Sequence, residues 1–381
     1  MLRTTQAQKT ADLIDFGIGQ PGMDLLPLEI MRQASAVRLS QGEKGLLNYG
    51  YEPGDGYFCE ALARFLGAGY GSTVTADSLF ITNGASQALD LICTRFTHPG
   101  DTIFVEEPSY FLALNIFADY HLNIISIPID KDGLRLDALA QALQHYQPVF
   151  LYVIPTFQNP TGVTMPAANR QQLVAMSEQH GFYIVADEVY QLLHYTAVPP
   201  LPFAHWAGNG RIISVGSFSK ILAPGLRLGW TQAAPDLIAR LVQSGLVDSG
   251  GGLNPFTSNL VRVVLEEGWQ DSFLAQLKVT YQERVAAMDA ALATHLGDRV
   301  QYERPSGGFF FWLEMTDGRD TARLLPEARK QGVGYQPGIK FSSQDGLRHF
   351  MRLSFAFYNV AEIEVGIGRL GELLSKHSFS T

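Results

Sequence analysis

Between residues 79 and 232, short apolar runs alternate with segments patterned as helices, and this alternation most constrains the fold. Val149-Phe-Leu-Tyr-Val-Ile154 is apolar without interruption, and Phe182-Tyr-Ile-Val-Ala186 and Ile212-Ile213 with Val215 repeat the theme. A strand with no polar face must be covered on both sides, as happens in sheets assembled from strand–helix units. The pattern therefore implies a mainly parallel α/β sheet with helices on both faces. Each run stops on small or polar residues. Open sheets of this kind bind ligands beyond the carboxyl ends of their strands, so the chemistry is sought there.

The run ending at Val215 leads into Gly216-Ser-Phe-Ser-Lys220, then Ile-Leu-Ala-Pro-Gly-Leu-Arg227. Small and apolar neighbours would desolvate Lys220, and Arg227 would repel its charge. Both effects lower a lysine pKa, as a Schiff-base lysine requires. The hydroxyls of Ser217 and Ser219 with the Arg227 guanidinium could hold a dianionic phosphate. The competing reading is a solvated loop lysine, the usual fate of that residue.

Upstream, Leu79-Phe-Ile-Thr82 reads as a strand, followed by Asn83-Gly84 and a helix whose buried face is Leu89, Ile92, Cys93 and Phe96. Ala85 and Ser86 then lie at a helix N-terminus, where free N–H groups favour an anion. A plain capped helix would look the same. No P-loop and no G-x-G-x-x-G is present, so no nucleotide is implied. Asp101–Tyr110 reads as a strand running into a loop, with Tyr110 either a stacking platform or a half-buried loop tyrosine. Glu106 and Glu107 are adjacent and would point to opposite faces, which excludes them as an acid/base pair. Asn159 sits in the rigid loop Pro155-Thr-Phe-Gln-Asn-Pro-Thr-Gly162. Asp187 ends its strand and Tyr190 follows three residues on. A carboxylate in that position needs a cation, which a structural ion pair would also satisfy. A metal site from Asp187, Glu188 and His194 is weak, because the nine histidines do not cluster, and no metal is expected.

Outside the alternating region, Asp15–Pro27 is rich in glycine and proline and reads as an irregular entry segment, with a short helix from Leu28. Leu46–Gly56 is a turn-rich loop in which Tyr49 is, by composition, an ordinary exposed aromatic. Ser249–Pro255 reads as a flexible loop before a long helical stretch, roughly 256 to 295. The aromatic runs 306–314 and 350–357 read as strands of a smaller α+β unit. Arg352, alone in such a strand, needs an anion, either a carboxylate of the chain or a ligand. The 381 residues are 46% hydrophobic, enough for a large core, and carry a formal charge of −9, which argues against nucleic acid or anionic membrane. Two cysteines, Cys59 and Cys93, lack any metal or redox spacing and fit a reduced cytoplasmic setting. No signal core or membrane-length run occurs.

Taken in order, these pieces resemble the class I/II aminotransferases, the fold-type I enzymes that use pyridoxal 5′-phosphate. The agreement runs over nearly the whole chain. It rests on Gly84-Ala-Ser-Gln, Tyr110, Asn159-Pro-Thr-Gly, Asp187 with Tyr190, Ser217-Phe-Ser-Lys220 with Arg227, and Arg352. Pro155-Thr-Phe-Gln and Leu222-Ala-Pro-Gly-Leu-Arg are most similar to the 2-aminoadipate and kynurenine aminotransferase branch. Ala85 departs from the serine that relatives often carry; the hydroxyl is lost and the N–H kept.

The resemblance implies a large cofactor domain over residues 46–285. A small domain over 286–381 packs with an N-terminal segment, 1–45. It makes Lys220 the Schiff-base lysine and general base, and pairs Asp187 with the ring nitrogen. Tyr190 and Asn159 bond the ring's 3′ oxygen, and Tyr110 stacks on its face. Ser217, Ser219, Arg227, Ala85 and Ser86 bind the phosphate. Arg352 clamps the substrate α-carboxylate, with Gly19 and Asn159 bordering the substrate. Tyr49 reaches the phosphate of the other subunit, which implies a homodimer with shared sites. The implied reaction moves an amino group between an L-amino acid and a 2-oxo acid, in amino acid metabolism and biosynthesis.

Other reactions on the same scaffold are a β-eliminating C–S lyase and an acyl-condensing synthase. A non-catalytic cofactor-sensing module of a transcription regulator is a third. The pattern begins within the first twenty residues, which leaves that last reading no room for a DNA-binding region. Met23, Leu25 and Leu26 near the entry segment lean toward neutral or apolar donors.

Overall fold

The computed structural model describes residues 5–10 and 12–376. After the short strand β1 (Ile14–Asp15), the chain builds one eight-stranded sheet. Its strands are β2 (Leu79–Thr82), β3 (Thr102–Glu107), β4 (Asn123–Asp130), β5 (Gly133–Leu134), β6 (Phe150–Val153), β7 (Tyr183–Asp187), β8 (Ile212–Ser217) and β9 (Gly229–Ala233). Their spatial order is β2-β9-β8-β7-β6-β3-β4-β5. The β8–β7, β7–β6, β6–β3 and β3–β4 pairs are parallel, as the uninterrupted apolar runs imply. β9 runs against both its neighbours, β2 and β8. Two reversals restore direction, so β2, β8, β7, β6 and β3 all finish at one edge of the sheet.

Period-two alternation divides the core between the two faces. Ile103, Val105, Phe150, Tyr152 and Val185 belong to one apolar cluster, whereas Phe104, Leu151, Val153, Ile184 and Ala186 belong to the other. Asp187 is next in line after Ala186 and therefore points to the face of Val185 and Tyr152.

The helical stretch expected near 256–295 is two helices, Pro255–Glu266 and Trp269–His295, parted at Gly268, whose φ is +69°. In Ser249–Pro255 a short helix, Gly245–Gly250, runs into the stretch read as flexible. Asn254 then ties it down, donating from Nδ2 to Leu226 O at 3.1 Å and to Arg227 O.

The C-terminal part adds β10 (Val300–Gln301), β11 (Phe310–Met315), β12 (Val333–Gly334), β13 (Gln336–Pro337) and β14 (Phe350–Ser354). β10, β11, β14 and β13 form an antiparallel sheet in that order, while β12 pairs in parallel with β1. Through that pairing the entry segment is carried alongside Arg352, which lies in register with Trp312 and Gln336. Among the described residues no helix is long and apolar enough to cross a membrane.

Candidate active site

The loops that leave the common edge of the large sheet converge on Lys220. Its Nζ donates to Gly19 O at 2.8 Å and stands 5.5 Å from the centre of the Phe309 ring. Burial, then the nearby Arg352 guanidinium, lowers its pKa to about 8, Asp187 opposing and Arg227 adding a smaller push. The lysine is thus an amine of reduced basicity, not a solvated loop side chain.

Asp187 is 5% exposed, and Oδ2 accepts from Tyr152 OH at 2.8 Å. Its other oxygen, Oδ1, has no hydrogen-bond partner. No ion pair takes Asp187 among the described residues, so the structural ion-pair reading does not hold. Burial lifts this carboxyl to about 6, against the lowering effect of the Tyr152 hydroxyl. Tyr190 is buried against the rings of Phe309 and Phe310. Tyr110 opens the helix Phe111–Asp119, and burial pushes its hydroxyl up to about 12.

Arg352 is buried, and no carboxylate among the described residues forms an ion pair with it. Nη1 donates to Asn159 Oδ1 and Nη2 to Gly17 O, each at 2.9 Å, and Nε has no partner. The rings of Phe310 and Phe341 lie 4.0 and 5.0 Å from its guanidinium carbon. Burial alone brings this arginine down to about 10. Gly19 is close-packed: a Cβ there would come within 3.1 Å of Phe310 and 3.4 Å of Arg352 Nη2.

At the same edge, the serines, Arg227 and the start of the helix Ala85–Phe96 form a cradle. Ser217 Oγ donates to Ser219 Oγ at 2.9 Å, and Ser219 N to Ser217 Oγ at 3.1 Å. Arg227 adopts φ +46°, a conformation non-glycine residues rarely hold, with Nη2 on Asn83 O at 3.1 Å. Ala85 and Ser86 follow Gly84, at φ +87°, and their N–H groups have no acceptor within the helix. A Cβ on Gly84 would approach Arg227 Nη2 to 3.0 Å, and one on Gly229 would approach Gly84 Cα to 2.8 Å. Only glycine leaves this space open for an anion.

These features fit pyridoxal phosphate. The cradle suits a phosphate, the open Asp187 oxygen suits a protonated ring nitrogen, and Lys220 suits an aldehyde. Tyr49 stands apart among the sequence candidates: its side chain is 82% exposed. The suggested metal triad is also dispersed. Glu188 accepts from the N–H groups of Phe203 and Ala204 and from Ser214, and His194 meets Lys278 Nζ at 2.8 Å. Sequence reasoning missed Tyr152 and Phe309. Both read as ordinary apolar strand residues; the β6–β7 register reveals the role of Tyr152, and the ring of Phe309, just before β11, is met by Lys220 from the large sheet.

The family model "Aminotransferase class I and II" matches residues 11–370. Aromatic-amino-acid aminotransferase 1 of Thermococcus litoralis is 35% identical over 97% of this chain and 89% of its own length. The 2-aminoadipate transaminase of Thermus thermophilus is 35% identical over 95% and 90%. A solved structure of Pyrococcus horikoshii kynurenine aminotransferase in complex with PMP superposes with a TM-score of 0.92 at 33% identity, covering 97% of this chain and 93% of that one. An uncharacterized HTH-type transcriptional regulator of Bacillus subtilis is more distant, 28% identical over 97% of this chain and 76% of its own. With the cradle, the half-buried lysine of reduced basicity and the buried arginine in one place, the chain belongs to the class I and II aminotransferases.

Proposed function

We propose that this enzyme performs transamination through Lys220, with Arg352 as the α-carboxylate clamp and a neutral, preferentially aromatic amino acid as donor. As a family member it is a pyridoxal-phosphate-dependent aminotransferase, exchanging an amino group between an amino acid and a 2-oxo acid. The observation that carries the residue assignment is Arg352: a buried guanidinium with an unpaired Nε and, among the described residues, no ion-pair partner. Bidentate capture of a substrate carboxylate supplies the missing anion.

When bound, pyridoxal phosphate supplies an aldehyde for the substrate amine and a ring that takes up the electron pair of the broken Cα–H bond. Ser217, Ser219, Arg227 and the N–H groups of Ala85 and Ser86 hold its phosphate. Asp187 keeps the ring nitrogen protonated, and Tyr152 holds Asp187 in place. Tyr190 and Asn159 hold the ring oxygen and Tyr110 covers the ring face. Lys220, as the neutral amine, takes the proton from the substrate Cα, and burial lets that amine exist near neutral pH.

Donor preference rests on the aromatic wall of Phe310, Phe341 and Phe111 near Arg352. Asp24 of the entry segment is engaged by Arg284 Nη2 at 2.6 Å, and the named relatives include an aromatic-amino-acid enzyme. The reading extends to a domain division at 1–45, 46–285 and 286–381, and to a cytoplasmic protein without nucleic-acid partners. It also includes a homodimer in which Tyr49 completes the partner's site; Leu28, Leu47 and Tyr49, each more than three-quarters exposed, give it an apolar surface to bury. Borohydride reduction of the holoenzyme tests the core of the proposal. The cofactor should become covalently fixed on Lys220, read by peptide mass spectrometry. Attachment to another lysine would refute the assignment.

A further inference from the structure

The loop between β6 and the helix Ala167–His180 carries a saturated amide that the roles above leave unused. Gln158 is 2% exposed. Its Nε2 donates to Glu106 Oε2 at 3.2 Å and to Pro108 O at 2.8 Å, and its Oε1 accepts from Thr161 N at 3.0 Å and Thr161 Oγ1 at 2.8 Å. An amide offers two N–H hydrogens and two lone pairs, so all four capacities are used. Glu106 Oε2 also accepts from Ile154 N at 2.9 Å, which anchors the pair to the end of β6.

Both routes out of this junction reach Arg352. Along the chain, Gln158 precedes Asn159, whose Oδ1 receives Arg352 Nη1. Across the fold, Pro108 precedes Ser109, whose N–H donates to Phe341 O at 2.9 Å, and the Phe341 ring flanks the guanidinium. A buried amide with every capacity used, like Gln158, fixes the geometry around it more than its single bonds suggest.

We propose that Gln158, seated on Glu106, is the positioning residue that aims Arg352 at the substrate carboxylate. This rests on the carboxylate-clamp reading of Arg352. Burial raises the Glu106 carboxyl to about 8, so near neutral pH it is largely a neutral acceptor, and a glutamine there keeps the oxygen both donors need.

The test uses holoenzyme and α-methyl-L-phenylalanine, an analogue with no proton on Cα, so its dissociation constant reports binding without turnover. Gln158→Leu removes all four bonds. Gln158→Asn is one methylene shorter and cannot reach Glu106 and Pro108 together. Each should weaken the analogue about three- to tenfold, the worth of one misaligned hydrogen bond, and raise KM for donor and 2-oxo acid alike, with kcat within about twofold. Glu106→Gln should stay within about twofold of wild type, whereas Glu106→Leu should follow Gln158→Leu. If Gln158→Leu does not accumulate, Gln158→Asn decides. Unchanged analogue binding in Gln158→Asn, whatever its melting temperature, overturns the proposal, as does loss of kcat with binding intact. Arg352→Gln is the reference. If it fails to weaken the analogue, the clamp itself is wrong and the positioning role falls with it; if it alone weakens the analogue, only the positioning role fails.

Discussion

Replacing Asp187 by asparagine should change how the stability of the cofactor-free protein depends on pH. The carboxyl is buried, carries one side-chain hydrogen bond on Oδ2 and leaves Oδ1 unpaired, and its pKa in the fold is about 6 against a reference of 3.8. A folded pKa above the unfolded one means that ionisation opposes folding. The stability tied to this group is therefore fully present below 3.8 and lost as pH rises through 6. Integrating proton release from the two states between pH 5 and 7 gives a loss of roughly 1.3 kcal/mol. The asparagine variant cannot ionise and should not show it. The assay is urea unfolding of both cofactor-free proteins at pH 5, 6 and 7. The wild-type free energy, minus that of the variant, should fall by roughly 1.3 kcal/mol across the range. A flat difference would mean that Asp187 does not titrate there and is not held in a strained, waiting state. Added cofactor should abolish the loss, because a protonated ring nitrogen supplies the cation that the fold omits.

Lys220→Ala should lower kcat at least about a hundredfold, the scale of a positioned general base, while leaving phosphate-dependent cofactor binding; near-normal turnover would contradict its role. Reconstitution of the cofactor-free enzyme should speed up as pH rises through about 8, where the Lys220 amine loses its proton; a rate indifferent to pH between 6.5 and 9 would exclude that amine as the reacting group. Tyr49→Phe should weaken cofactor retention by about 1.5–3 kcal/mol, one hydrogen bond to a charged group. A hybrid dimer of one Tyr49→Phe chain and one Lys220→Ala chain should keep half the wild-type activity; activity equal to half that of the Tyr49→Phe homodimer would place Tyr49 in its own chain's site.

Much of the site is legible in the sequence because the sheet is buried on both faces. Such strands announce themselves as apolar runs, and whatever polar residue interrupts them at the end, Asp187 or Ser217, stands out. The interior partners do not. Tyr152 lies inside an apolar run, and only the β6–β7 register reveals that it faces the Asp187 side chain. Glu106 and Glu107 are correctly read as pointing apart: one is buried against Ile154 N, the other accepts from Ser343 N at 3.1 Å. What adjacency could not say is that the buried one serves a glutamine 52 residues away. Asn254 was hidden by its glycine-rich surroundings, which suggest mobility when the chain in fact spends them on close approach. Tyr49 illustrates a different limit: its side chain is 82% exposed, so the packing of a single chain gives it no role to read.

The close-packed glycines around the candidate anion cradle carry a consequence for how this protein can change over generations. A methyl group on Gly229 would press on Gly84 Cα and on Gly216 O at 2.7 Å, and one on Gly216 would overlap the Trp230 ring at 2.1 Å. Gly229 is thus closed by the other two and Gly216 by a ring wedged beside it, while Gly84 is held by its φ of +87° and by the Arg227 guanidinium. At Gly216 and Gly229 relief needs a simultaneous change at a neighbour, and at Gly84 any side chain is strained by the backbone itself. Mutational drift should accordingly flow around the cradle, through the aromatic wall and the entry segment. New donor preferences can accumulate there while the anion seat stays frozen. A saturation library over residues 84, 216 and 229 would then return almost only the parental triplet, where the same effort at the exposed Met23 would return many.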